Sequence, residues 1–227
     1  MSIVESLQNL IQQMRLNHND QMRIMYQMRG NLNAAIQCCD RAIQLDPLNP
    51  KVYVERGMVK HQNKDYVGAL ADYDRAIQLD TRYATAYVNR GLIHIHREEF
   101  AEALADFNQA IYYDPRNPVA YNNRGLANKL RGNLTAALGD YRMAITLAPD
   151  NPTLYNNRAS AYVATEAFDK ALADFNMALA LYPGYVEANQ NRGLLFAKMG
   201  LSPSEISSSP LPNPQTKEAT WLVSNHL

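Results

Sequence analysis

The chain has 227 residues, 22 of them basic and 22 acidic, so its formal net charge is zero. That balance argues against a nucleic-acid binder, whose phosphate contacts need a basic excess, and against a polybasic membrane anchor. Hydrophobic residues make up 47%, ample for a buried core, and the only cysteines, Cys38 and Cys39, are neighbours that offer neither a disulfide framework nor a CxxC metal pair.

Residues 1–15 lack the basic start, continuous apolar run and small-residue cleavage site of a signal peptide. With reduced cysteines and no stretch approaching a membrane span, a cytoplasmic location is expected. Ile3, Leu7, Leu10, Ile11 and Met14 share one helical face, and Ser2 and Glu5 are spaced as a capping box. The segment reads as a capping helix or as an upstream extension of the helix that follows.

From Leu16 a 34-residue period runs to about Gly200 without insertion or deletion. Ala35, Ala69, Ala103, Ala137 and Ala171 are 34 apart, and so are Ala42, Ala76, Ala110, Ala144 and Ala178. Such a phased pair of small residues marks stacked helical hairpins. Five full units are expected, 16–49, 50–83, 84–117, 118–151 and 152–185, followed by a terminal helix at 186–200.

Within a unit, helix A carries Tyr at position 4 (Tyr53, Tyr87, Tyr121, Tyr155) and a small residue at position 8 (Gly57, Gly91, Gly125, Ala159), where two helices must pass closely. Polar residues or Gly near positions 14–16 supply the turn. Helix B follows with apolar residues spaced by 3 and 4, such as Phe100, Leu104, Phe107 and Ile111. Pro47, Pro115, Pro149 and Pro183 close it at position 32, with Thr81 standing there in the second unit. The first unit departs most, with Asn19, Met22 and Arg23 in place of Tyr, Arg and Gly.

An aromatic, a small residue, Ala-x3-aromatic and a closing Pro, in register over some four fifths of the chain, resemble the tetratricopeptide repeat. The wording "YNNRG" and "ALADFNQAI" is similar to bacterial, particularly cyanobacterial, members. The resemblance implies an all-α, right-handed superhelical solenoid of antiparallel helix pairs. It also implies a non-enzymatic scaffold or assembly factor that holds an extended segment of a protein partner in a concave groove.

Two recurring sets are not explained by the hairpin core. Arg56, Arg90, Arg124 and Arg158 at position 7 recur with Asp72, Asp106, Asp140 and Asp174 at position 23, and both types change together in the first unit, to Met22 and Cys38. Joint loss points to structural ion pairs across each hairpin, since an unpaired buried charge is costly. The second set is Asn89, Asn123, Asn157 and Asn191 at position 6. A carboxamide both donates and accepts, so one per repeat is suited to hold a peptide backbone, and the ladder resembles that of O-GlcNAc transferase repeats. The other reading is that these side chains only solvate the groove.

Positions 2, 5, 6, 9, 12 and 13 line the groove in this family. By that register Val54, Met58, Val88, Leu92, Ile95, Leu126, Leu130 and Val163 form an apolar wall, with Asn122 and Asn156 beside it. The clamp for a C-terminal carboxylate is excluded, because no unit has Lys at position 5 with Asn at position 9. His94 and His96 point about 200° apart on a helix and cannot share an ion. No phosphate loop or nucleophile motif occurs, so no enzyme activity, metal or cofactor is expected.

Residues 201–227 are rich in Ser and Pro and are expected to be mostly flexible, ending near Trp221, the only tryptophan. An alternative function is self-association through the apolar terminal helices and this tail, giving a homo-oligomer. A further alternative is a regulatory segment of a larger enzyme.

Overall fold

The computed structural model describes residues 3–200, which form eleven α-helices and no strand. Two compact units divide the chain, Met1–Pro115 and Arg116–Leu227. The first holds α1 (Ile3–Met28), α2 (Leu32–Leu45), α3 (Pro50–Gln62), α4 (Tyr66–Leu79), α5 (Ala84–His96) and α6 (Phe100–Tyr113). The second holds α7 (Pro118–Leu130), α8 (Leu134–Leu147), α9 (Pro152–Ala164), α10 (Phe168–Leu181) and α11 (Val186–Lys198). Odd-numbered helices are the A helices and even-numbered ones the B helices.

Each A helix packs on the B helix that follows it, and each hairpin stacks on the next within its unit. α1 is unbroken from Ile3 to Met28, so the residues before Leu16 extend the first A helix. The Ser2 capping box and the tail beyond Gly200 lie outside the described residues.

Local chemistry sets the helix ends. Pro50, Pro118 and Pro152 occupy first helical positions, where a missing N–H costs nothing, and Asn49, Asn117 and Asn151 cap them. The turn inside each hairpin needs one left-handed residue at position 15. It falls on Gly30, Lys64, Glu98, Gly132, Glu166 and Gly200, with φ between 59° and 80°. At the far end, the B helices stop at Asp46, Asp80, Asp114, Ala148 and Tyr182, each with φ between −133° and −144° and ψ between 71° and 101°, and each donating its N–H to the position-27 Ala carbonyl. Proline follows four of these residues, yet α4 ends identically before Thr81. The non-helical cap conformation, rather than the ring alone, terminates the helix.

The core repeats with the sequence. The position-20 alanines are fully buried, and the position-27 alanines nearly so. Position 24 places a ring, Tyr73, Phe107, Tyr141 or Phe175, against the small residue of the paired A helix. A Cβ on Gly57 would lie 2.5 Å from the Tyr73 ring, and one on Gly91 would lie 2.8 Å from Phe107. Gly57, Gly91 and Gly125 are there because an aromatic ring occupies the space of a side chain.

Candidate partner-binding face

The recurring charges form the rigid part of each hairpin. Arg56 donates to Asp72 from Nε (2.9 Å) and Nη2 (2.6 Å), and Arg90 grips Asp106 at the same distances. Arg124 meets Asp140 at 2.6 Å and Arg158 meets Asp174 at 2.7 Å. The four aspartates are buried, and paired forks of this kind satisfy both carboxylate oxygens. Burial alone would lower the pKa of Arg56, but its hydrogen bonds to Asp72 and Asp40 raise it; for Arg90 the bonds to Asp106 dominate and raise it.

Sequence reasoning missed a second part of this network. The third guanidinium nitrogen of Arg56 reaches back to Asp40 of the preceding hairpin at 2.7 Å, and that of Arg90 reaches Asp74 at 2.6 Å. The signal was available: Asp at position 25 stands 16 residues before Arg in both cases. Each such arginine joins its own hairpin and locks it to its neighbour.

The four position-6 asparagines are not equivalent. Asn89 donates to the Thr85 carbonyl of its own helix at 2.8 Å. Asn123 is buried and accepts from Asn122 at 3.2 Å. Asn157 donates to Asn122 of the preceding A helix at 2.8 Å, and Asn191 donates to Asn156 at 3.0 Å. The position-5 and position-6 carboxamides therefore clip adjacent A helices side by side. The oxygens of Asn157 and Asn191 accept from no other group among the described residues, and both side chains are half-buried.

The wall divides in the same way. Val54, Val88 and Asn156 at position 5 are buried; Val54 shares a cluster with Ala86 and Ile93 of the next A helix, and Asn156 accepts from Asn191 of α11. A count along one helix cannot see how closely the next one lies, so these three, with Asn123, offer no free surface. Leu92, Ile95, Leu126 and Val163 are half-buried, whereas Met58 and Leu130 are exposed. A recess of about 550 Å³ lies in the second unit, with Val163 and Leu194 among its lining, Phe175 contributing and Ser160, Asn191 and Lys198 around it. Leu194 is 68% exposed. Sequence reading placed Leu194 in an apolar terminal helix without assigning it to a wall.

A second recess, of about 580 Å³, lies in the first unit between α1 and α2, lined by Ile11, Met14, His18, Arg41 and Leu45. Among the described residues no cluster of His, Cys, Asp and Glu could hold a metal, and no helix is long and apolar enough to cross a membrane.

Two family models, both described as tetratricopeptide repeat, match residues 57–96 and then 88–152 and 144–186, together more than half of the chain. The chain belongs to the tetratricopeptide repeat family. Such proteins are generally non-enzymatic scaffolds for protein–protein interaction. Comparison with curated protein sequences gives no match. Solved structures match well. A thermophilic tetratricopeptide protein of Thermus thermophilus superposes with a TM-score of 0.69 at 19% identity, covering 80% of this chain and 99% of its own. One from Parabacteroides merdae gives 0.67 at 19%, covering 86% and 77%. YrrB, described as having an unusual peptide-binding site, gives 0.58 at 19%, covering 75% and 88%. At these identities the likeness is one of fold, and the fold class is the all-α repeat of antiparallel helix pairs expected from the sequence.

Proposed function

We propose that this protein holds an extended segment of a partner protein along its A helices, as a scaffold or assembly factor. The observation that carries this reading is the apolar recess of the second unit, where exposed Leu194 and half-buried Val163 stand beside the carboxamide of Asn191. An apolar pocket with a few placed polar groups is the usual form of a ligand site. The Asn191 oxygen is available to accept from a peptide N–H, and Asn157, one repeat earlier, offers the same group. Asn89 presents a third carboxamide in the first unit, beside Leu92 and Ile95. The peptide-binding site in the description of YrrB, a structure of similar fold, supports the same class of ligand.

The test is a screen of extended peptides carrying apolar side chains against the full-length protein. Leu194→Asp should weaken the best ligands tenfold or more, the loss typical of a central interface contact. Asn191→Ala should weaken them less. Val67→Asp, exposed on the B helix α4 and no part of the recess, should leave binding unchanged. Equal binding by Leu194→Asp with its helix content intact would remove the recess from the site.

A further inference from the structure

Two features of α11 lack the partners that the same positions have elsewhere. At position 8, Gly57, Gly91 and Gly125 lie under the ring of their own B helix, so that an added Cβ would come within 2.5–2.9 Å of it. Gly193 occupies that position in α11 and meets nothing within 4 Å among the described residues. At position 7, Arg56, Arg90, Arg124 and Arg158 each grip a carboxylate of their own B helix. Arg192 instead bonds the amide oxygens of Asn176 (2.7 Å) and Asn189 (3.3 Å). It has no carboxylate partner among the described residues, and burial lowers its pKa. A ring cradle and an uncompensated cation thus sit side by side on the face that a B helix covers in the other repeats.

The residues directly after Gly200 are poorly suited to that role. The 34-residue register puts Ser208 and Ser209 where Asp and the aromatic belong, and Pro203, Pro210, Pro212 and Pro214 oppose a helix. Further on, Glu218 and Trp221 are three residues apart, which on a helix sets a carboxylate and a large ring on one face. An extended chain covers about 3.3 Å per residue, so the residues between Gly200 and Glu218 can span roughly 50 Å or more. The 13-residue α11 is only about 20 Å long. Reach does not limit the contact, and charge and shape agree with it.

We propose that α11 is a docking site for the protein's own segment around Glu218–Val223, with Trp221 seated over Gly193 and Glu218 facing Arg192. The segment takes the place of a sixth B helix and covers the open end of the array.

The lone tryptophan makes this measurable in the full-length protein. Trp221 emission should be blue-shifted, and its acrylamide quenching constant should rise at least threefold in Gly193→Phe, which plugs the cradle. Arg192→Glu should also release the ring, and Arg192→Glu combined with Glu218→Arg should restore its shelter. Gly139→Phe, at a helical glycine with open space in α8, is the control and should change nothing. Circular dichroism checks that each variant is folded. A Trp221 fully exposed in the wild type, or equally sheltered in Gly193→Phe and Arg192→Glu, overturns the proposal. Shelter that appears only as concentration rises, with the mass of a dimer in light scattering, assigns the site to a second copy and overturns it too.

Discussion

Tyr73 and Tyr141 bury their hydroxyls with no hydrogen-bond partner among the described residues, in the position that Phe107 and Phe175 fill in other repeats. Burial, and then the charge of the adjacent Asp72 or Asp140, pushes both phenol pKa values up, so the hydroxyls stay neutral. An unpaired buried hydroxyl costs about 1–3 kcal/mol, and removing it leaves the ring packing intact. Tyr141→Phe should therefore stabilise the fold by about 1 kcal/mol, read as a higher urea midpoint at unchanged slope. A lower midpoint would mean that the hydroxyl has a partner after all. The alternation of Tyr and Phe was visible in the sequence, but the missing partner was not, because it depends on which polar groups of other helices come near. The arginine–aspartate forks were legible for a different reason: the first unit changes both types at once. Their second arm, to Asp40 and Asp74, also left a mark in the sequence, a spacing of 16 residues that crosses a repeat boundary.

Helix ends show how far a periodic pattern carries. Every A-helix start from Pro50 onward follows the 34-residue count, with an Asn cap and Pro at α3, α7 and α9 and with neither at α5 and α11. Contacts between neighbouring A helices were less legible: Val54 and Val88 read as wall residues yet are buried, Val54 in a cluster with Ala86 and Ile93 of the next A helix. The one irregular closing position, Thr81, supplies a prediction. Asp80 before it has φ −142° and ψ 101°, close to Asp46, Asp114, Ala148 and Tyr182, all of which precede proline. That conformation lies outside the α region, which a following proline disfavours. The surroundings also coincide, for Tyr87 donates its hydroxyl to the Thr81 carbonyl at 3.0 Å as Tyr53 does to Pro47 at 3.1 Å. Thr81→Pro should stabilise by about 0.4–1 kcal/mol through the unfolded chain. Thermal unfolding would show a small upward shift, and a downward shift would reveal a need for the Thr81 N–H.

Across the molecule, the histidines are unevenly distributed: His18, His61, His94 and His96 all belong to the first unit, and the described residues of the second contain none. Tyr66 of α4 lies between two of them, edge-on to His61 with ring centroids 5.5 Å apart and tilted against His96 at 4.6 Å. Burial lowers the His61 pKa below its ordinary 6.5, and the charge of His96 lowers it further. The unfolded chain therefore binds a proton at His61 more readily than the folded one. Stability from this group is fully present above pH 6.5 and is lost as the pH falls through the folded value. Glu55 in the same unit works in the opposite sense, because burial raises its pKa above 4.5 despite Arg23; its contribution is present in acid and lost as the pH rises through the raised value. Comparison with His61→Gln separates the two, since both proteins keep Glu55. Between pH 7 and pH 5 the wild type should lose more unfolding free energy than His61→Gln, with the extra loss appearing as faster amide exchange in α3–α5. Exchange in α7–α11 should be alike in both proteins. A wild-type and variant difference that stays constant over this range, or an extra loss centred on the second unit, would show that the His61–Tyr66–His96 cluster does not couple protons to folding.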